Sequence, residues 1–373
     1  MANEDHAILA ANGSGLHYRG VAYDVGSNHQ TGQGDLSRMV WSDELMRSEI
    51  DLVADELNAN SVTLYGTALD RVEAAVSYAI DRGLHVWLQP RLMDGTQQDV
   101  LDFIGEVGEL GESFRKQGAG IHLSIGCTHS IQTKGIMPGD FYHNRMGNVF
   151  ADADHNFLRP VGPVDQEDVT RKLNAFLAKA AAVGRATFKG GITYSGGPFE
   201  DVDWSLVDYI GLVEYYYPHP SREAYAKELS SYRKWGKPVM ISEYGSFTYK
   251  DGHTKGLLGF DIVDRTVEPP TVFPGFVRDE QAQADFHLES LRLFDELGIY
   301  SVAVTELVHP THPYSEDPKY DLDTASMTIT KSIRDDYFDM LSAYRVEPKE
   351  SFRAIARYYG AVAGREGSQS PAA

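Results

Sequence analysis

The sequence predicts an α/β fold in which eight parallel strands, each followed by a helix, close into a single-domain (β/α)8 TIM barrel with long strand-to-helix loops. Three observations predict it. Amphipathic helical stretches give way to short apolar strands, five times across a glycine; eight strand-and-helix units can be read; and 373 residues hold a bare barrel of about 250 residues with room for enlarged loops. Strands alternating with helices specify a parallel sheet, and eight such units specify closure.

Taken in order, the first strand is read at residues 20–23. Ser42 then stands where it caps a helix whose apolar face is Met46, Ile50, Val53 and Leu57, a helical spacing. The second strand, 61–65, precedes a helix with Val72, Val76 and Ile80 on one face. Gly83 leads into the third strand, 84–89, and a helix over 97–116 leads through Gly118 into the fourth, 119–125. A helix over 166–183 ends at Gly184 before the fifth strand, 186–193, and residues 199–208 leave room for only a short helix before the sixth, 209–214. Helices over 222–235 and 280–297 end at Gly236 and Gly298, ahead of the seventh strand, 238–243, and the eighth, 299–306. The last helix is expected over 331–344. Glycine recurs at helix ends because the next residue commonly takes a left-handed conformation that side chains resist.

This gives a flexible segment at 1–15, the barrel over 16–360, and a disordered tail at 361–373, rich in Gly, Ser, Pro and Ala. The connections 26–41, 128–163 and 244–278 are long and fall on the face where barrel enzymes keep their sites, so they are read as pocket walls.

At 42% hydrophobic and 24% charged, the chain has the makings of a large core and none of the signature of disorder. A formal net charge of -20 argues against a nucleic-acid or anionic-membrane partner, both of which recruit Lys and Arg. Cys127 is the only cysteine, so neither an intrachain disulfide nor a cysteine zinc cage forms. Residues 1–15 lack the basic and apolar parts of a secretory signal, and no run approaches the about 18 apolar residues that span a bilayer; a cytoplasmic location is expected. His309 and His312, with Glu306, have the chemistry of zinc ligands. Pro310 and Pro313 make their segment non-helical, and an exposed loop is the favoured reading. No cofactor and no metal are expected.

Three consecutive strands close on glutamate: Glu214, Glu243 and Glu306. Neighbouring carboxylates in a partly dry pocket cannot all ionise cheaply, so one is pushed to hold a proton near neutrality. One ionised and one protonated carboxyl are what glycoside chemistry requires, and these three are the candidate catalytic residues. Asp24, Gln89, Arg91, Asp94, Thr128, His129, Tyr194, Tyr216 and Tyr244, at or just past strand ends, are the candidate substrate-binding residues. Aromatic rings there offer flat platforms to the C–H faces of a sugar. The expected partner is therefore a small sugar or sugar-like substrate.

Lys237-Pro238-Val239-Met240-Ile241-Ser242-Glu243-Tyr244-Gly245 resembles the seventh strand of the clan A retaining glycoside hydrolases, and the stretch from Asp208 to Pro218 resembles their tyrosine-rich sixth strand. Ser124-Ile125-Gly126-Cys127 and Gly135-Ile136-Met137-Pro138-Gly139 are similar to a bacterial branch labelled abortive infection proteins. The resemblance implies a TIM barrel with Glu243 as nucleophile. It also implies an acid/base glutamate at the end of the fourth strand, after Gly-Asn; this chain reads Gly126-Cys127-Thr128-His129, so Thr128 stands in that place. Thr63 stands where the clan often carries an arginine on the second strand. Threonine cannot shuttle a proton at neutral pH, and losing an acid/base slows glycoside cleavage by a factor on the order of 10² to 10⁴. Three readings follow. The protein is a glycosidase or transglycosylase with another proton donor (Glu214, Glu306, Asp94 or His129), a biosynthetic isomerase, lyase or cyclase on a polyhydroxylated metabolite, or a non-catalytic carbohydrate binder.

Overall fold

Short β segments with buried faces pair into one closed ring. The computed structural model describes residues 13–29, 36–151, 158, 160–215 and 221–369. The eight staves are β1 (Tyr18–Asp24), β2 (Ser61–Gly66), β3 (His85–Pro90), β4 (Ile121–Cys127), β5 (Ile192–Gly196), β6 (Tyr209–Glu214), β7 (Val239–Tyr244) and β8 (Ser301–Val304). All pairs are parallel, and β1 joins β8 to complete the (β/α)8 barrel.

The lower end of the cylinder is plugged by stacked rings from several strands. Tyr18 stacks on His85 at 4.1 Å, Trp87 on His122 at 4.7 Å, and Tyr209 on Tyr300 at 5.7 Å. Higher up, the interior narrows: a Cβ on Gly211 would meet the Tyr194 carbonyl oxygen at 2.4 Å, so only glycine fits.

The helices α1 (Asp43–Asp51), α2 (Leu69–Asp81), α3 (Gln97–Lys116), α4 (His129–Gln132), α5 (Tyr142–Val149), α6 (Gln166–Thr187), α7 (Arg222–Ser231), α8 (Glu280–Glu296) and α9 (Glu350–Gln369) cover the strands and loops. Ser42 caps α1 by accepting from the Leu45 amide at 3.1 Å, as its position predicts, and Thr96 with Asp99 forms a capping box on α3. Gly83, Gly118, Gly236 and Gly298 all take positive φ. The connection at 199–208 holds one 3₁₀ turn, Trp204–Leu206.

Three expectations are corrected. Gly184 does not end α6, which runs to Thr187 with β5 starting only at Ile192; a Cβ on Gly184 would lie 3.0 Å from Ile125, so this glycine serves close helix–strand approach. Residues 331–344 are not a helix. They lie in an antiparallel hairpin of β9 (Thr330–Arg334) and β10 (Tyr344–Pro348), and Phe338 and Leu341, which a helix would bury, are 64% exposed. Nor does a disordered tail begin at 361, because α9 continues to Gln369. Phe352, Ile355, Tyr358, Tyr359 and Val362 bury one face of it, and Arg365 makes a forked ion pair with the buried Asp295 at 2.9 and 3.0 Å. The expected flexible segment at 1–15 lies mostly outside the described residues, as do 370–373.

Among the described residues no helix is long and apolar enough to cross a membrane.

Candidate active site

A cavity of about 410 Å³ opens at the C-terminal end of the barrel, walled by strand ends and by the long loops after β1, β4, β7 and β8. The three loops read as pocket walls do line it, through Ser27 and Ser37, through Ile131, Tyr142 and Met146, and through Phe247, Leu257 and Phe260.

Glu243, at the end of β7, projects into this cavity and is only 4% exposed. Its two oxygens accept from three donors. Arg91 bonds Oε1 directly, the Cys127 thiol reaches the same oxygen at 3.6 Å, and the Tyr215 hydroxyl donates to Oε2 at 2.5 Å. Arg91 is in turn fixed: its Nε donates to Gln89 Oε1 at 3.0 Å, and its guanidinium lies 3.8 Å above the Tyr65 ring. Burial opposes the guanidinium charge, but Glu243 beside it overrides burial and raises the Arg91 pKa well above its ordinary value. Gln89 is oriented by donating to Ser195 at 3.1 Å. The cation that reaches the β7 carboxylate thus comes from β3, while Thr63 stands on β2.

A second acidic cluster forms where β8 ends. Glu306 Oε2 accepts from the Tyr65 hydroxyl at 2.6 Å, and Oε1 lies 3.1 Å from His309 Nδ1. Burial pushes the Glu306 pKa up, but the hydrogen bond and charge of His309, then Tyr65 and Arg91, outweigh it and the net shift is downward. Burial likewise pushes His309 down, yet Glu306, with Asp24 adding its charge, carries it above the ordinary histidine value. Each group thus favours the charged form of the other. The other ring nitrogen, Nε2, is buried with no hydrogen-bond partner among the described residues. Asp24 accepts from Ser27 at 2.9 Å, Ser37 at 2.5 Å and the Gly26 amide at 2.8 Å; burial and the nearby Glu306 raise its pKa above the carboxylate norm.

Of the residues singled out in the sequence, Asp24, Arg91, Thr128, Glu243 and Glu306 line the cavity, and Gln89 supports it. Tyr216 lies outside the described residues. Five others point elsewhere. Glu214 sits between Val213 and Tyr215, which both line the cavity, so strand alternation sends it outward to a hydrogen bond with Tyr225 of α7. Burial and the charge of Glu228 raise its pKa to about 8, but it has no route to a substrate held by Glu243. Asp94 instead clamps the buried Arg145 of α5. His129 is spent on Thr133 and the Ile125 carbonyl, both at 2.8 Å, and burial lowers its pKa to about 4. Tyr194 donates to Glu200 at 2.8 Å and accepts from the His129 amide at 2.7 Å, outside the cylinder. Tyr244 packs edge-on to Phe294 of α8.

Cys127, Tyr65, Tyr215 and His309 enter the site without having been singled out as site residues. Tyr215 follows a strand-end glutamate and Tyr65 closes β2, so strand alternation could have found both. His309, set aside in the sequence as part of an exposed loop, is a cavity wall residue; its signal was the Glu-x-x-His spacing. At the end of β4 the cavity receives the Cys127 thiol and the Thr128 hydroxyl, with Thr128 in a left-handed conformation, φ 37°. Burial, reinforced by Glu243, pushes the Cys127 thiol up, so it meets Glu243 as a neutral donor. Among the described residues no group of three or more His, Cys, Asp or Glu side chains is arranged to hold a metal ion.

The fold has solved counterparts. A family GH113 β-mannanase from Alicyclobacillus acidocaldarius superposes with TM-score 0.55 at 15% identity, covering 94% of this chain and 98% of that one. A family 1 β-glucosidase from Thermotoga maritima gives 0.53 at 11%, covering 94% and 98%. A Parabacteroides merdae β-glucuronidase gives 0.54 at 12%, covering 92% of this chain and 36% of that one. At these identities the likeness establishes a barrel scaffold of the kind glycoside hydrolases use. No family model and no curated protein matches the sequence.

Proposed function

We propose that this chain is a glycosidase-like enzyme for a small glycoside or sugar-like molecule, with Glu243 as nucleophile or charge stabiliser and His309, held by Glu306, as the proton donor that replaces a fourth-strand carboxyl. The observation that carries this reading is one cavity holding both Glu243, gripped by Arg91 and Tyr215, and the His309 ring, bonded to Glu306 through Nδ1 with its Nε2 uncommitted. A volume of about 410 Å³ suits a small ligand. Its apolar walls strengthen charge–charge interactions at the reacting carbon.

In this scheme a Glu243 oxygen bonds to the sugar's reactive carbon as its bond to the leaving oxygen breaks, and His309 Nε2 gives that oxygen its proton. The neutral imidazole then takes a proton from the water that displaces Glu243. Glu243→Gln is expected to abolish turnover while leaving the folded spectrum unchanged. Activated aryl β-mannosides and β-glucosides are the first substrates to try, given the names of the neighbouring structures, and a 2-fluoro sugar should leave an adduct on Glu243. Full activity in the variant refutes the assignment.

A second reading, a biosynthetic isomerase, lyase or cyclase, is favoured by the fourth strand ending in Cys127 and Thr128 with no carboxyl. Under it neither aryl glycoside cleavage nor the adduct occurs.

A further inference from the structure

The cavity wall is divided by chemistry. One side is a continuous polar network: the Tyr65 hydroxyl bonds one Glu306 oxygen, His309 pairs with the other, and Arg91 lies over the Tyr65 ring and reaches Glu243. The other side is an apolar patch. Val213 and Tyr215, at the end of β6, pack with Cys127, and Leu257 from the loop after β7 and Met327 from the loop after β8 pack against them. Met327 and Phe260 in turn pack against the cluster that holds Phe247, and all of these residues line the cavity. Glu243 stands where the two sides meet, because Arg91 of the network and Tyr215 of the patch both donate to its carboxylate.

The patch is poorly matched to a second sugar. Leu257, Phe260 and Met327 are only partly buried, so they turn toward the cavity apolar surface that a ligand can cover. Valine, leucine and methionine side chains are neither flat platforms for the C–H face of a sugar nor strong partners for its hydroxyls, and a hydroxyl buried against them without a partner is unfavourable. The Tyr215 hydroxyl and the Cys127 thiol are already spent on Glu243. Two basic side chains, Arg265 and His143, also reach the wall, and the charges of Asp261 and Asp94 act on them. An alkyl or aryl group has no hydroxyl to strand there and gains from every methylene it buries.

We propose that the substrate is the glycoside of an apolar alcohol, its sugar held by the network of Arg91, Tyr65 and Glu306 and its alkyl or aryl group laid along Val213, Leu257 and Met327. This names the substrate class of the site and rests on the sugar reading above, though its test does not depend on turnover.

Binding to the wild-type protein is read from the fluorescence of prodan, a small neutral dye that brightens in apolar surroundings. Methyl, butyl and hexyl β-D-mannosides and β-D-glucosides, the sugars in the names of the neighbouring structures, then compete for the site. A buried methylene is worth about fourfold in affinity, so the butyl glycoside is expected to displace the dye at a concentration roughly 10–100-fold below that of the methyl glycoside. Met327→Gln and Leu257→Asn, near in size but polar, should each dim the bound dye and shrink that ratio about threefold or more, and Met327→Leu, which stays apolar, should keep both. A circular dichroism spectrum matching wild type qualifies each variant. No dye binding, equal displacement by methyl and butyl glycosides, or bound dye undiminished in both polar variants overturns the proposal. Dye displaced by hexanol but by no glycoside upholds the apolar part of the ligand and removes the sugar reading. Glu243-dependent cleavage of methyl glycosides and sugar oligomers with no dye bound does the reverse.

Discussion

Glu214 is the sharpest test of how this barrel divides its carboxylates. It is buried, bonded to Tyr225, and carries a pKa of about 8 against an ordinary 4.5, through burial and then the charge of Glu228. The unfolded chain ionises Glu214 at its ordinary value, whereas the folded chain must bury a charge to do so. Its contribution to stability is therefore complete below pH 4.5 and is lost as pH rises through 8, because over that window the native state binds the extra proton. Each tenfold is about 1.4 kcal/mol, so the ceiling is about 5 kcal/mol by pH 9; relaxation and water entry should leave about 2–4 kcal/mol. Glu214→Gln keeps the shape and removes the ionisation. Urea unfolding at pH 5 and pH 9 should show the two proteins close together at pH 5 and the variant more stable at pH 9, with catalytic rate unchanged. A variant that folds normally but has lost turnover would return Glu214 to the chemistry and refute the outward orientation. Equal stability of the two proteins at both pH values would refute the buried, protonated carboxyl.

Two further expectations follow from the same geometry. Because His309 must carry its proton to act and its pKa is raised by Glu306, turnover should decline as pH rises through that elevated value. His309→Gln should remove the alkaline decline and slow poor leaving groups by on the order of 10² to 10⁴, while a dinitrophenyl leaving group suffers far less; equal losses for both would sink the role. Lys349 is fully buried, 2.8 Å from Asp323, and donates to Thr248 at 3.0 Å and Thr328 at 3.1 Å. Lys349→Met should cost about 3–5 kcal/mol in chemical denaturation, and a loss under about 1 kcal/mol would show the ion pair to be dispensable.

The barrel was legible because strand and helix alternate with glycine stops, and that pattern survives uncertainty at every boundary. Residues 331–344 misled because Ile333, Tyr337, Leu341 and Tyr344 fall near helical spacing, while the strand pairing that wins, Thr330 with Pro348 through Arg334 with Tyr344, depends on a partner segment beyond the window. In the site, a glutamate at a strand end could be seen but not its direction. One residue of parity separates Val213 and Tyr215, facing the cavity, from Glu214, facing α7. His129 and Tyr194 look polar and well placed in one dimension, yet behind the cylinder the His129 ring is held by Thr133 and the Ile125 carbonyl and the Tyr194 hydroxyl by Glu200. His309 carried a local signal in its Glu-x-x-His spacing, but that its segment turns into the cavity depends on the loop's path.

The seam between β1 and β8 makes the first stave wait for the last. One edge of β1 pairs early with β2, but the other, Tyr18–Val21, finds its partners only at Ser301–Val304, and Tyr359 of α9 then pins the Gly20 carbonyl at 2.9 Å. During synthesis the ribosome must deliver about three hundred residues before that edge is covered, so a nascent chain presents an open strand edge to its surroundings for most of translation. A permuted gene that starts at α8 would bring these two staves together early but move the waiting seam to β7 and β8, so the edge open during synthesis should become that of β8.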